Sequence, residues 1–223
     1  LITGANRGLG LEFARQYLAE GWKVLATCRN PISPGPLSQL QGLLEVHGLD
    51  VGDERQIARV AEDLDSVTID LLINNAGLYG PQKYNLKNID TQAWSEVFKI
   101  NSIMPLKIAS AFLDNLEAAK KPIIVNVSSM MGSIADNSSG GGYIYRSSKA
   151  ALNAVMKSLS NDLTNKGIAV YLFHPGWVQT DMGGVNALIT PAESVSSIRK
   201  ILNELTIEDS GSFLNYDGSV VPW

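Results

Sequence analysis

The chain has one cysteine, Cys28, and two histidines, His47 and His174, among 223 residues. A single cysteine excludes an intrachain disulfide and a cysteine-rich metal site, and two histidines are too few for a histidine-based metal cluster. No metal is expected. Charge is also scarce, at 18% of residues, and the 18 Lys and Arg are outnumbered by 22 Asp and Glu, giving a formal net charge of −4. That balance lacks the basic face a duplex-binding protein needs, so nucleic acid is not expected as a partner. No apolar run approaches the roughly 18 residues of a membrane span, and no charged segment precedes a short apolar one as in a secretory leader. The expectation is a soluble, cytoplasmic protein without a membrane partner. The chain opens at "LITG", so its first strand is read as lacking leading residues.

What is abundant is hydrophobic side chain, 45% of the whole, together with 20 glycines. That is enough for one large core, and residues 1–223 are read as a single α/β domain. Runs rich in β-branched residues fall at 1–3, 23–28, 44–49, 69–73, 122–128 and 168–173, with a short one near 212–214. Helical spacing of apolar residues occupies 9–20, 53–65, 91–118, 145–165 and 191–205, the last opening on Thr190, Pro191 and Glu193 as a capping box. Strands alternating with helices, joined by right-handed crossovers, give a doubly wound parallel sheet of about seven strands with helices on both faces, a Rossmann fold. Irregular segments at 78–90, 131–142 and 176–189 are expected to wall a site at the C-terminal edge of that sheet.

"TGANRGLG" (3–10) joins the first strand to the first helix. Gly4 allows a tight turn, Gly8 lets the backbone approach a pyrophosphate, and Gly10 permits close helix packing, while the helix N-terminus offers unpaired N–H groups to an anion. The second strand ends in "ATCRN", with no acid to bind a ribose 2′-hydroxyl. Arg29, with Arg7 in the glycine loop, can instead pair with a 2′-phosphate, which points to NADP(H).

Tyr145 and Lys149 stand one helical turn apart in "YIYRSSKAALNAVMKSL" (143–159), on the stripe that carries Leu152, Met156 and Leu159. A core-facing stripe that begins with a phenol and an ammonium opens into a polar cleft. A lysine beside a tyrosine is expected to lower a phenol pKa, ordinarily about 10, into a range useful for acid–base work. Four residues on from Tyr143 stands Ser147, not a lysine.

The motifs "TGANRGLG", "LDV" (49–51), "NNAG" (74–77), "IN" (100–101), "VNVSS" (125–129), "YRSSK" (145–149) and "HPGWVQTDM" (174–182) occur in this order along essentially the whole chain. In them the sequence resembles the short-chain dehydrogenase/reductase superfamily, and in "CRNP" and "YDGSVVPW" its carbonyl-reductase and C-factor-like subgroup. The resemblance implies an NADPH-dependent oxidoreductase that passes a hydride to an aldehyde or ketone. Tyr145 would be the proton donor, Ser129 the hydroxyl that steadies the carbonyl oxygen, Lys149 the group that holds the ribose, and Asn101 the support of a proton relay. Ser128 would point to the other side of the strand. The step of sixteen residues from Ser129 to Tyr145 implies a longer intervening loop than in many relatives.

For the cofactor, the resemblance implies contacts from Asn6 and Leu9 in the glycine loop, from Asp50 to adenine with Val51 beside it, and from Asn75, Ala76 and Gly77 at the sheet edge that Asn74 helps to shape. Pro175 and Gly176 would form the turn that brings Val178 and Thr180 to the nicotinamide carboxamide. His174 is read as structural. Tyr79, Trp94, Tyr143, Trp177 and Met182 are candidates for an apolar substrate wall. The same subgroup contains signalling proteins in which cofactor binding matters, which leaves a regulatory role as the alternative. The long helices imply a homodimer.

Overall fold

The computed structural model describes residues 1–82 and 86–223. Among the described residues six strands are formed: β1 (Val24–Cys28), β2 (Leu44–Gly48), β3 (Leu71–Asn74), β4 (Ile123–Val127), β5 (Ala169–His174) and β6 (Phe213–Asn215). All pair in parallel, β1 with β2 and β3 through β6 in order. The expected first strand is what joins these two groups, and it has shrunk to a parallel bridge on either side of Ile2. Ile2 N–H donates to Leu25 O at 2.8 Å and Thr27 N–H to Ile2 O at 2.9 Å, while Thr3 N–H donates to Ile73 O at 3.0 Å on the other side. The resulting order, β2, β1, residues 1–5, β3, β4, β5, β6, reverses direction at the first segment, where a doubly wound sheet binds its ligand.

Because successive strand residues face opposite ways, the sheet divides the core in two. Leu25, Leu72, Ile124 and Leu172 pack on one side with α2 (Glu54–Asp63), α4 (Met104–Ala111), α5 (Leu113–Glu117) and α6 (Tyr143–Leu163). Val24, Ala26, Ile73 and Phe173 pack on the other with α1 (Gly8–Ala19) and α7 (Pro191–Glu204). The capping box of α7 forms as read: Thr190 Oγ1 accepts from Glu193 N–H at 3.2 Å, and Glu193 Oε2 accepts from Thr190 N–H at 2.8 Å.

The helix expected over 91–118 is broken. It runs as α3 (Thr91–Phe98), a π-helical turn (Lys99–Ile103), α4 and α5. Pro105 is the reason: it has no N–H, and its ring excludes the carbonyl four residues back, that of Asn101. Among the described residues no helix is long and apolar enough to cross a membrane.

Candidate active site

A cleft of about 1030 Å³ opens along the C-terminal ends of the strands. Its lining includes Gly4, Asn6, Arg7, Gly8 and Leu9 from the glycine loop, Arg29 after β1, and Asp50 and Val51 after β2. Asn75, Ala76 and Gly77 line it after β3, Tyr145 and Lys149 from α6, and Pro175, Gly176, Val178 and Thr180 after β5. Of the expected catalytic and cofactor residues, two are not on its wall. Gly10 lies behind the loop, where a Cβ would come within 2.4 Å of Gly4 O and 2.5 Å of Asn75 Nδ2, so its role is packing, as read. Asn101 is buried beneath the substrate side.

The glycine loop is built by its neighbours as much as by its glycines. Gly4 and Gly8 take left-handed φ of 62° and 53°, which any side chain would strain. Asn75 Nδ2 donates to Thr3 O at 2.8 Å and Gly4 O at 3.1 Å, and Thr3 Oγ1 accepts from the N–H groups of Asn75 and Ala76 at 3.0 and 3.1 Å. Sequence reasoning missed Thr3; its signal was its place immediately before the first glycine. Asn74 turns inward and donates to Asn126 Oδ1 at 2.9 Å. The N-cap of α1 is Arg7, whose side chain caps nothing, so the first N–H groups of that helix face the cleft without a side-chain partner. A Cβ on Gly8 would lie 3.4 Å from Thr180 Cγ2, so the segment after β5 comes close to the start of α1. Arg7 and Arg29 are both exposed on the cleft wall, Arg7 only loosely paired with Asp181 at 3.9 Å. Asp50 is half-buried and accepts from Gly52 N–H at 2.9 Å.

Ser129, Tyr145 and Lys149 come together at the inner end. Ser129 follows β4 and accepts from Met131 N–H at 3.1 Å, opening the short helical turn Met130–Gly132. A Cβ on Gly132 would meet Lys149 Cβ at 2.8 Å, so that turn lies directly on α6. The Lys149 Nζ donates to Val127 O at 2.7 Å and lies 5.8 Å from the centre of the Tyr145 ring. Ser128, as read, turns away and donates to Asn153 Oδ1 at 2.6 Å.

One expectation is reversed. The Tyr145 phenol is not lowered in the protein alone: burial pushes it well above the ordinary tyrosine value, a hydrogen bond with Ser129 pulls it back, and Tyr79 pushes it further up. Burial also holds the Lys149 ammonium down, to about 8. Both groups pay the cost of leaving water before either can help the other. His174, whose Nδ1 is buried without a hydrogen-bond partner among the described residues, is lowered to about 4, again by burial, and is therefore neutral.

Asn101, in the π-helical turn, spends its amide on the segment after β3. Its Oδ1 accepts from Leu78 N–H at 2.8 Å, and its Nδ2 donates to Leu78 O at 2.7 Å and Ser148 Oγ at 2.9 Å. Of the proposed apolar wall, Tyr79, Trp177 and Met182 line the cleft, joined by Met131. Trp94 and Tyr143 are not among the lining residues; Trp94 instead donates its indole N–H to Ser147 Oγ at 2.9 Å, tying α3 to α6. From the loops 131–142 and 176–189, Met131 and Gly142, and Trp177 and Met182, line the cleft. Of 78–90, Leu78, Tyr79 and Gln82 line the cleft, and 83–85 lie outside the described residues. The 176–189 loop closes on itself, with Trp177 Nε1 donating to Gly183 O at 2.8 Å and Gln179 N–H to Ile189 O at 2.9 Å.

Comparison with known proteins agrees with this geometry. The family model of the short chain dehydrogenases matches residues 1–187. C-signal of Myxococcus xanthus is 43% identical over 155 residues, covering 70% of this chain and 93% of its own. Carbonyl reductase Sniffer of D. melanogaster superposes with a TM-score of 0.92 at 33% identity, over 100% of this chain and 98% of its own. An NADPH-bound carbonyl reductase from chicken fatty liver superposes at 0.90 with 38% identity, over 100% and 97%. The chain belongs to the short-chain dehydrogenase/reductase family.

Proposed function

We propose that the protein is an NADPH-dependent carbonyl reductase built as one domain over residues 1–223. The observation that carries this is the meeting of Ser129, Tyr145 and Lys149 at the inner end of a cleft whose outer end holds a glycine loop and two exposed arginines. The residues fit a dinucleotide: the uncapped first turn of α1, opening on Gly8 with no side chain in the way, suits a pyrophosphate, and Arg7 with Arg29 suits a 2′-phosphate. The solved relative from chicken liver, which is NADPH-bound, supports the choice.

When bound, NADPH supplies the hydride. This chain's own groups do the rest. Ser129 and Tyr145 hydroxyls hold the carbonyl oxygen, and the developing negative charge there is met by hydrogen bonds in a site from which water is largely excluded. Tyr145 gives its proton to that oxygen. A phenol held protonated by burial is an acid ready for reduction. Lys149 binds the ribose hydroxyls and, once its ammonium is hydrogen-bonded there, stabilises the tyrosinate left behind. Asn101 keeps the segment after β3 in place beside them, and a proton relay from solvent to Lys149 is its further role.

The test is NADPH oxidation against a panel of aldehydes, ketones and quinones. Turnover with NADPH preferred over NADH, and reduced by about two orders of magnitude or more in Tyr145→Phe, supports the reading. The likeness to C-signal favours a second one, in which the bound dinucleotide is a regulatory signal. NADPH binding without turnover across the panel would favour that alternative. A homodimer across α3–α6 is also inferred, since Ile103 and Leu106 stand exposed there while Val155 is packed against the core. Light scattering should return twice the 24.0 kDa chain mass, and a value near 24.0 kDa would refute it.

A further inference from the structure

The segment after β3 carries a side chain that the chemistry above does not use. Leu78 is held by Asn101 through both its N–H and its C=O. Gly80, at φ +80°, lies so close to α3 and α6 that a Cβ there would meet Val97 Cγ2 at 2.8 Å and Ile144 Cγ2 at 3.4 Å. Between these fixed points Tyr79 is left one place to go. Its ring lies on that of Tyr145, centroids 4.5 Å apart and planes 22° from parallel, and its hydroxyl donates to Met131 Sδ at 3.8 Å.

We propose that Tyr79 is a positioning residue for Tyr145: the stacked ring fixes the orientation of the phenol and keeps water from one face of it. The proposal rests on the carbonyl-reductase reading only for its kinetic consequence. At this separation nothing fits between the rings, neither water nor substrate, so a substrate must reach the phenol oxygen from the open side of the cleft. Rotation of the Tyr145 ring toward the β3 side is blocked by the same contact.

The groups around the phenol define what removing Tyr79 would change. Ser129, from the end of β4, is its hydrogen-bond partner, and Tyr79 faces it from the segment after β3. Lys149 lies one turn along α6, and His174, at the end of β5, shares the cleft and is neutral. Arg7, Arg29, Asp50, Glu96 and Asp181 also line this cleft. Burial is the largest influence holding the phenol protonated, and Tyr79 is part of what buries it. With the ring gone and the other groups unchanged, water reaches the phenol and its titration moves down.

The experiment compares wild type with Tyr79→Leu and Tyr79→Phe, with Tyr79→Met in reserve should the leucine variant lose its unfolding transition. Each is labelled with 13Cζ-tyrosine, and the Tyr145 resonance is assigned by its loss in Tyr145→Phe. In the ligand-free protein, the wild-type signal should stay at its phenol position beyond about pH 11, past the range of an ordinary tyrosine. Tyr79→Leu should titrate at least about one pH unit lower, and Tyr79→Phe should follow wild type. In turnover, Tyr79→Leu should lose about tenfold in kcat with its alkaline limb shifted down, and Tyr79→Phe should recover both. A leucine variant that is folded yet titrates as wild type does would overturn the proposal. A shifted titration in a protein that turns over no carbonyl compound would leave the role of Tyr79 standing and sink the reductase reading instead.

Discussion

Asn101 grips Leu78 by both polar groups of its backbone, accepting from its N–H at 2.8 Å and donating to its C=O at 2.7 Å. The grip depends on Pro105, which opens the helix into a π turn and lets a residue from the middle of a helical run face the cleft's floor. The side chain that pins Tyr79 beside Tyr145 is therefore placed by a proline four residues further on.

Asn101→Ala should cost about 1–2 kcal/mol of stability, because it leaves the half-buried N–H and C=O of Leu78 without their partner and removes one donor from the Ser148 hydroxyl, which keeps its own bond to Tyr145 O. It should lower kcat and also raise KM for the dinucleotide, since the loosened segment borders Tyr145 and continues directly from Asn75, Ala76 and Gly77 on the cleft wall. Urea denaturation and steady-state kinetics check both. A variant as stable as wild type would mean that the segment holds itself.

The low pKa of Lys149 makes a stability prediction with a definite sign. Burial holds the ammonium at about 8 in the folded, ligand-free protein, against 10.5 ordinarily. Between those values the unfolded chain binds the extra proton, so the folded state gains stability as pH rises from 8 to 10.5, and below 8 it carries the full cost of a buried charge. Lys149→Met removes that cost. Its stability relative to wild type should be greater at pH 7 than at pH 10.5, by on the order of 3 kcal/mol. Chemical denaturation at the two pH values decides it, and an offset that does not change with pH would show that the lysine is better hydrated than its burial implies.

Arg29→Ala should weaken NADPH binding about tenfold and leave NADH binding nearly unchanged, because the exposed guanidinium has a 2′-phosphate to meet only in the first case. Arg7→Ala should act in the same sense but less strongly, since Arg7 is already within 3.9 Å of Asp181. Fluorescence titration with both nucleotides, repeated at high salt, measures the difference. Equal losses for NADPH and NADH would assign the arginines to the shared pyrophosphate.

Much of this was legible in the chain because the relevant geometry is local. A glycine loop between strand and helix, a tyrosine and lysine one turn apart, and a serine at a strand end each have their consequences within a few residues, and all reached the cleft. The break at Asn101 was also legible, in Pro105, but the apolar spacing on both sides hid it. The direction of the Tyr145 shift was not. Helical spacing shows that Lys149 is near, whereas the dryness of the phenol depends on the segment after β3, the end of β4 and α6 converging on it. Trp94 was misplaced for a similar reason: spacing shows which residues share a face of α3, and only the packing of α3 on α6 shows that Trp94 meets Ser147.

Gly10 separates the packing function of the glycine loop from its conformational one. Unlike Gly4 and Gly8, it does not take a positive φ, so an alanine there strains no torsion angle. Its methyl group would nevertheless lie 2.4 Å from Gly4 O and 2.5 Å from Asn75 Nδ2, closer than atoms can approach. Either α1 shifts away from the sheet or the Asn75 side chain gives up its hydrogen bonds to Thr3 O and Gly4 O, which shape the loop. Gly10→Ala should cost about 1–3 kcal/mol and weaken dinucleotide binding in the same variant, whereas Gly8→Ala, which has room at 3.4 Å from Thr180 Cγ2 but a φ of 53°, should cost about 1–2 kcal/mol through the torsion alone. Thermal melts and nucleotide titrations on the pair test this. If Gly10→Ala binds as wild type does, the loop takes its shape from Gly4 and Gly8 alone.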